Sequence, residues 1–225
     1  MPISYRYYRC EDAPVLGLED SVRSQAQLAI DGWHGEAESS LTYVGRSDHA
    51  DFEKYDCLHQ VDRQVDAVFK DHDVKQLLFN VRFTAYYNRD EKYFLVQTGK
   101  KEARGFFSRL EKSGLNAEPG SLDLDLVSQL GPTTGGWFGN LKIDKVSSAG
   151  IFGSDEIVGS DEWSHYADVG VISALNMKLP SDAGVPQSVM VTKDRLVLLM
   201  QDLGENTNLH FVSKLNAEFD GFETV

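Results

Sequence analysis

The spacing of apolar residues changes period near Asp73, and that change restricts the chain to a mixed architecture of helices and strands. Before it, Phe52, Tyr55, Leu58, Val61, Val65, Val68 and Phe69 recur every three or four residues. This spacing predicts an amphipathic helix over 48–70, with Glu53, Asp56, Gln60, Arg63 and Lys70 on its polar side. After it, residues 77–87 and 92–98 are rich in aromatic and β-branched types and flank Asn88-Arg89-Asp90-Glu91, which predicts a β-hairpin.

The same two patterns organise the remainder. Leu18, Val22, Ala26, Ala29 and Ile30 keep a helical spacing, so a helix is expected over 18–30. Further helices are expected over 100–112, near 161–167 and over 206–219. Strands are expected at 3–10, 41–44, 137–143, 146–152 and 171–179, with a second hairpin from 187–192 and 195–201. Residues 115–136 stay ambiguous, because Leu122-Asp123-Leu124-Asp125-Leu126 alternates like a strand while Leu122, Leu126 and Leu130 fit a helix. The expected fold class is α+β, with mixed or antiparallel sheets and packed helices. Phe106-Phe107-Ser108-Arg109-Leu110 is echoed by Phe211-Val212-Ser213-Lys214-Leu215, each in a helix that follows a hairpin. The echo points to two related β-hairpin–helix halves, 1–120 and 121–225, sharing one continuous globule.

At 225 residues, 41% of them hydrophobic, the chain can fill a core as one large domain or two small fused ones. The charge-free run 126–141 is interrupted by Pro132 and four glycines and is too short to span a membrane. No apolar signal segment opens the sequence. With Cys10 and Cys57 as the only cysteines, a reducing cytoplasm is the expected location.

Charge is the feature that bears most on function. The net charge is −13, yet the window 82–112 holds eight basic residues against four acidic ones, a local +4 that leaves −17 elsewhere. Lys101, Arg104, Ser108 and Lys112 share one helical face. The helix starts right after Gly99, where free N–H groups and the helix dipole favour an anion. Arg82, Tyr86, Arg89, Lys100, Lys101, Arg104 and Lys112 are therefore the candidate binding residues, with Tyr87 adding aromatic surface of the kind used to stack nucleic-acid bases. A body of −17 repels polyanions, which favours a protein partner or self-association over nucleic acid.

A rival set lies on the predicted helix 48–70. There, His59, Asp62 and Asp66 would share a face and could ligate a divalent metal, with the basic helix as phosphate holder. That would make a metal-dependent enzyme acting on phosphate esters or nucleic acid. A third cluster, Gly153-Ser154-Asp155-Glu156 repeated as Gly159-Ser160-Asp161-Glu162, lacks the spacing of an EF-hand and reads as a helix cap. No Walker loop, G-x-S-x-G, S-x-x-K or C-x-x-C is present. The sequence thus leads to a non-enzymatic binding or accessory module without a cofactor or membrane contact, docking its partner on the basic hairpin–helix segment.

Overall fold

The computed structural model describes the chain apart from Asp31, Gly32, Ala50, Lys70, Asp71, Ala183 and Val225, and apart from the side chains of 27–30, 33–35, 66–69 and 72–76. Among the described residues, strand takes up 47% of the chain and helix 24%, so the α+β class holds with the sheet dominant. All strand pairings described below are antiparallel. The chain divides into two compact units, Tyr8–Glu118 and Met1–Tyr7 with Pro119–Val225. In sequence, β1 (Ile3–Arg9) spans the first boundary and the two-residue β7 (Glu118–Pro119) the second.

In unit 8–118 the strands β2 (Ser21–Ile30), β3 (Trp33–Arg46), β4 (Phe52–Phe69), β5 (His72–Asn88) and β6 (Tyr93–Val96) pair in sequence order as a meander. Helix α1 (Lys100–Leu110) packs on it and ends in a 3-10 turn, Glu111–Ser113. The β5–β6 turn carries its own chemistry: the Asn88 side-chain oxygen accepts from the N–H of Asp90 and of Glu91.

Two expected helices are strands. The segment 18–30 contains β2, and 48–70 contains β4. The physical reason is that both alternate with period two once the core side is allowed small and polar residues. On β2, Val22, Ser24 and Ala26 point inward while Arg23 and Gln25 are exposed. On β4, Tyr55, Cys57 and His59 are buried while Asp56 and Asp62 are exposed. Leu58 and Val61, which completed the helical spacing, fall on opposite faces of the sheet. β4 is held by register against β5 from Phe52–Asn88 to Phe69–His72, a long-range ladder that outweighs local helix propensity.

The core of this unit is aromatic. Phe106 and Phe107 of α1 are fully buried, with Phe106 5.0 Å from Phe83 and Phe107 4.4 Å from Tyr8 and 5.6 Å from Phe94. Each such ring contributes roughly 1.5–3 kcal/mol by burial.

In the other unit, the N-terminal part of β1 begins a sheet that continues through β12 (Leu196–Leu199), β11 (Gln187–Thr192), β10 (Val171–Leu179), β8 (Thr133–Ile143) and β9 (Val146–Phe152). The ambiguous stretch forms the one-turn α2 (Leu124–Val127), capped by Asp123, and a 3-10 turn at Ser128–Leu130. Helix α3 (Asp161–Val169) starts at Ser160, whose hydroxyl accepts from the Trp163 N–H. Gly136 is explained by this helix: a Cβ there would lie 2.7 Å from the Trp163 ring, which packs edge-on against Phe138.

Helix α4 (Glu205–Phe219) buries Leu209, Val212, Leu215 and Phe219. Its C-terminal end is tied down by Arg195, which is 1% exposed. The guanidinium lies 3.7 Å from the Tyr7 ring centre and donates to Asp220 (2.7 Å), to Glu223 and to the Asn216 carbonyl (2.8 Å). No described helix is long and apolar enough to cross a membrane.

Candidate binding surface on helix α1

Helix α1 follows from its sequence directly. Ala103, Phe106, Phe107 and Leu110 form an apolar stripe that seats against the sheet, which turns Lys100, Lys101, Arg104 and Ser108 to the outside. These four residues and Gly105 line a shallow recess on the surface of the unit. Lys101, Arg104 and Lys112 are exposed and pair with no described residue.

The seven candidate binding residues do not form one surface. On β5 the inward positions are Phe83, Ala85 and Tyr87, which pack with α1, so Arg82 and Tyr86 lie on the opposite face of the sheet. Tyr86 is buried, with the Lys54 ammonium 5.8 Å from its ring centre, and so offers no open stacking surface. Arg89 is taken by Glu53: its Nε and an Nη donate to the two carboxylate oxygens at 3.1 and 2.7 Å. Burial alone would raise the Glu53 carboxyl, but hydrogen bonds from Arg89 and Tyr55 outweigh it and hold the group below the usual carboxylate range. Lys92 reaches Glu11 at 3.0 Å. What remains together is Lys100, Lys101 and Arg104, with Lys112 exposed on the 3-10 turn that follows α1.

The start of α1 is also already occupied. A Cβ on Gly99 would lie 2.6 Å from an oxygen of Glu102, so that carboxylate folds back over the helix N-terminus. Its other oxygen is 3.5 Å from Arg63. An incoming anion would have to displace it, and the lysine and arginine side chains further along the helix are the freer donors.

Arg109 faces inward, which sequence reasoning did not distinguish from its basic neighbours. Beyond the Ser39–His59 pair, β3 and β4 are no longer in register, and the Arg109 guanidinium donates to the freed carbonyls of Glu38 (3.2 Å) and Gln60 (2.8 Å). Glu38 N–H in turn donates to the Gln60 side chain. Arg109 is the i+2 neighbour of Phe107 and one residue from Leu110, so its place beside the buried stripe was the available signal.

The rival metal set is corrected by the fold. In a strand, His59 and Asp62 fall on opposite faces, because the side-chain period is two. His59 is buried, with Nδ1 2.7 Å from the Ser39 hydroxyl and its ring edge-on to Phe106, whereas Asp62 is exposed. The Asp66 side chain lies outside the described residues. Burial, followed by the nearby Arg109 charge, lowers the His59 pKa to about 4, so the imidazole is neutral at physiological pH. Among the described residues no group of three or more His, Cys, Asp or Glu side chains is placed to hold a metal ion. In the third cluster, Glu156 accepts from the N–H of Thr133 and of Val158, which binds that loop to β8.

Comparison with models of known protein families finds no match, and comparison with curated proteins finds none either.

Proposed function

We propose that the protein is a non-enzymatic binding or accessory module whose outer α1 face receives an acidic segment of a protein partner. One observation carries this reading. In a chain of net charge −13, Lys101 and Arg104 stand exposed on one stripe of α1, Lys112 is exposed on the 3-10 turn after it, and none has a described carboxylate against it, while Arg89 and Lys92 of the same window are paired. Cations that merely solubilise an acidic protein would gain by pairing with its surplus carboxylates. A short acidic segment suits the patch better than nucleic acid, because long-range repulsion from the body grows with the length of the polyanion while the patch acts within about 10 Å at 0.1 M salt.

The reading extends to organisation and location. The two halves, 1–120 and 121–225, are taken as related by duplication. In support, Phe106–Leu110 and Phe211–Leu215 both lie in helices that follow a hairpin, and the aligned pairs Phe107 with Val212 and Leu110 with Leu215 are all buried. The cytoplasm is the proposed compartment; Cys10 and Cys57 are free and buried, and burial pushes the Cys10 thiol up to about 11.

The test compares the wild-type chain with Lys101→Glu/Arg104→Glu as bait for capture from the native host at low and moderate salt. A protein partner retained by the wild type and lost from the double variant, with salt weakening the wild-type complex only, is the expected result. A partner set unchanged by the double substitution removes α1 as the docking face, and an eluate dominated by nucleic acid removes the protein-partner reading.

A further inference from the structure

Unit 1–7 with 119–225 holds a cavity of about 300 Å³ beneath α4, distant in sequence from the basic window. Its floor is apolar: Leu179 at the end of β10, and Phe211 and Leu215 on α4. That volume lies at the small end of ligand pockets and suits a small molecule.

At its mouth two donors converge. His210 and Lys214 are one helical turn apart on α4, and both point at the same oxygen of Asp182, His210 Nε2 at 2.8 Å and Lys214 Nζ at 2.5 Å. A carboxylate oxygen only accepts, so Nε2 carries the proton. Asp182 sits on the tight turn between β10 and β11, which is closed by the Gly184 N–H to the Ser181 carbonyl and by the Ser181 hydroxyl to the Val185 carbonyl. Its side chain is 61% exposed. The molecule thus shows what group this donor pair holds: a carboxylate, at the lip of an apolar hollow, supplied from a surface turn. Held only at an exposed site, that contact yields readily to a competitor.

We propose that the cavity binds a small monocarboxylic acid, its carboxylate replacing Asp182 between His210 and Lys214 and its hydrocarbon body lying on Leu179, Phe211 and Leu215. Asp182 is then a built-in competitor that closes the empty site. Lys214 and then His210 hold its carboxyl below the usual range, so it competes as an anion at neutral pH. Glu218, one turn beyond Lys214 on the lining, selects against ligands with a second negative charge. The inference is independent of the α1 reading, since it concerns other residues and another class of ligand.

Octanoate is the probe, titrated by calorimetry into the full chain, with octanol as the uncharged match. Saturable octanoate binding is expected, and in Asp182→Asn, where no carboxylate has to be displaced, octanoate should bind about fivefold tighter than octanol. Asp182→Asn should tighten it by about fivefold, the worth of the displaced contact, and Lys214→Met should weaken it by a similar factor or more. Both positions are at the surface, and thermal melts of each variant confirm that the fold is kept. Absence of octanoate binding to both wild type and Asp182→Asn overturns the proposal. So does octanol binding to Asp182→Asn as tightly as octanoate, or an Asp182→Asn variant that binds octanoate no more tightly than the wild type.

Discussion

His59 and Arg195 are polar residues that the core accepts for opposite reasons, and each makes a prediction. His59 is kept neutral by burial, with Arg109 adding to the effect, and Glu102 opposing it from the same helix. Its folded pKa of about 4 lies below the ordinary 6.5, so the unfolded chain takes up the proton first as pH falls. Stability contributed by the neutral ring is therefore full above about pH 6.5 and declines down to about pH 4, by an amount on the order of 3 kcal/mol. Urea unfolding followed across that range should show the decline, and His59→Asn, which retains a partner for Ser39, should flatten it. A His59→Asn slope equal to the wild type would place the titration elsewhere. Arg195 is accepted because its guanidinium is matched on every side, by the Tyr7 ring, Asp220, Glu223 and Asn216. Arg195→Ala should cost about 3 kcal/mol in denaturant unfolding, at the low end for a buried pair because Asp220 is left in solvent. Arg195→Lys should recover less than half, since an ammonium cannot reach three acceptors in one plane.

At the scale of elements, the contact between α1 and its sheet depends on a residue with no side chain. A Cβ on Gly105 would stand 2.9 Å from His59 Nε2, and that ring is pinned by Ser39. Gly105→Ala would gain about 1 kcal/mol of helix propensity and lose about 1–3 kcal/mol to overpacking. The expected net result is a loss of about 1 kcal/mol, read as a lower urea midpoint at unchanged slope. A stabilised Gly105→Ala would mean that α1 can lift from β3 and β4 without cost. The small inward residues of β2 and β3, Ser24, Ala37 and Ser39, belong to the same close approach.

For the whole molecule, the governing quantity is the surplus of carboxylates. With 35 acidic and 22 basic side chains, self-repulsion opposes the compact state, whereas the exposed ion pairs each contribute little. Raising salt from about 0.01 to 0.15 M shortens the Debye length from about 30 to 8 Å. The melting temperature should therefore rise with salt over that interval. A fall would show that paired charges, and not the net charge, control stability.

Local pattern by itself determined α1, α3 and α4 and the β5–β6 and β11–β12 hairpins, because each is decided by neighbours within a few positions: an apolar stripe such as Ala103, Phe106, Phe107 and Leu110, a cap such as Ser160, or a turn such as Asn88–Lys92. Lys101 and Arg104 are exposed on α1, whereas Lys112, expected on the same helical face, lies in the 3-10 turn that follows it. Only the tertiary structure decided β2 and β4, whose partners lie tens of residues away. Their apolar residues fit two periods equally well, and a ladder with β3 and β5 settles which period is used. The same cause separated Arg82 and Tyr86 from α1, parted His59 from Asp62, turned Arg109 inward to open carbonyls, and brought His210 and Lys214 to Asp182. Side-chain direction in a sheet reverses at every residue, so a charge's place in the chain says which segment carries it, but not which face of the molecule receives it.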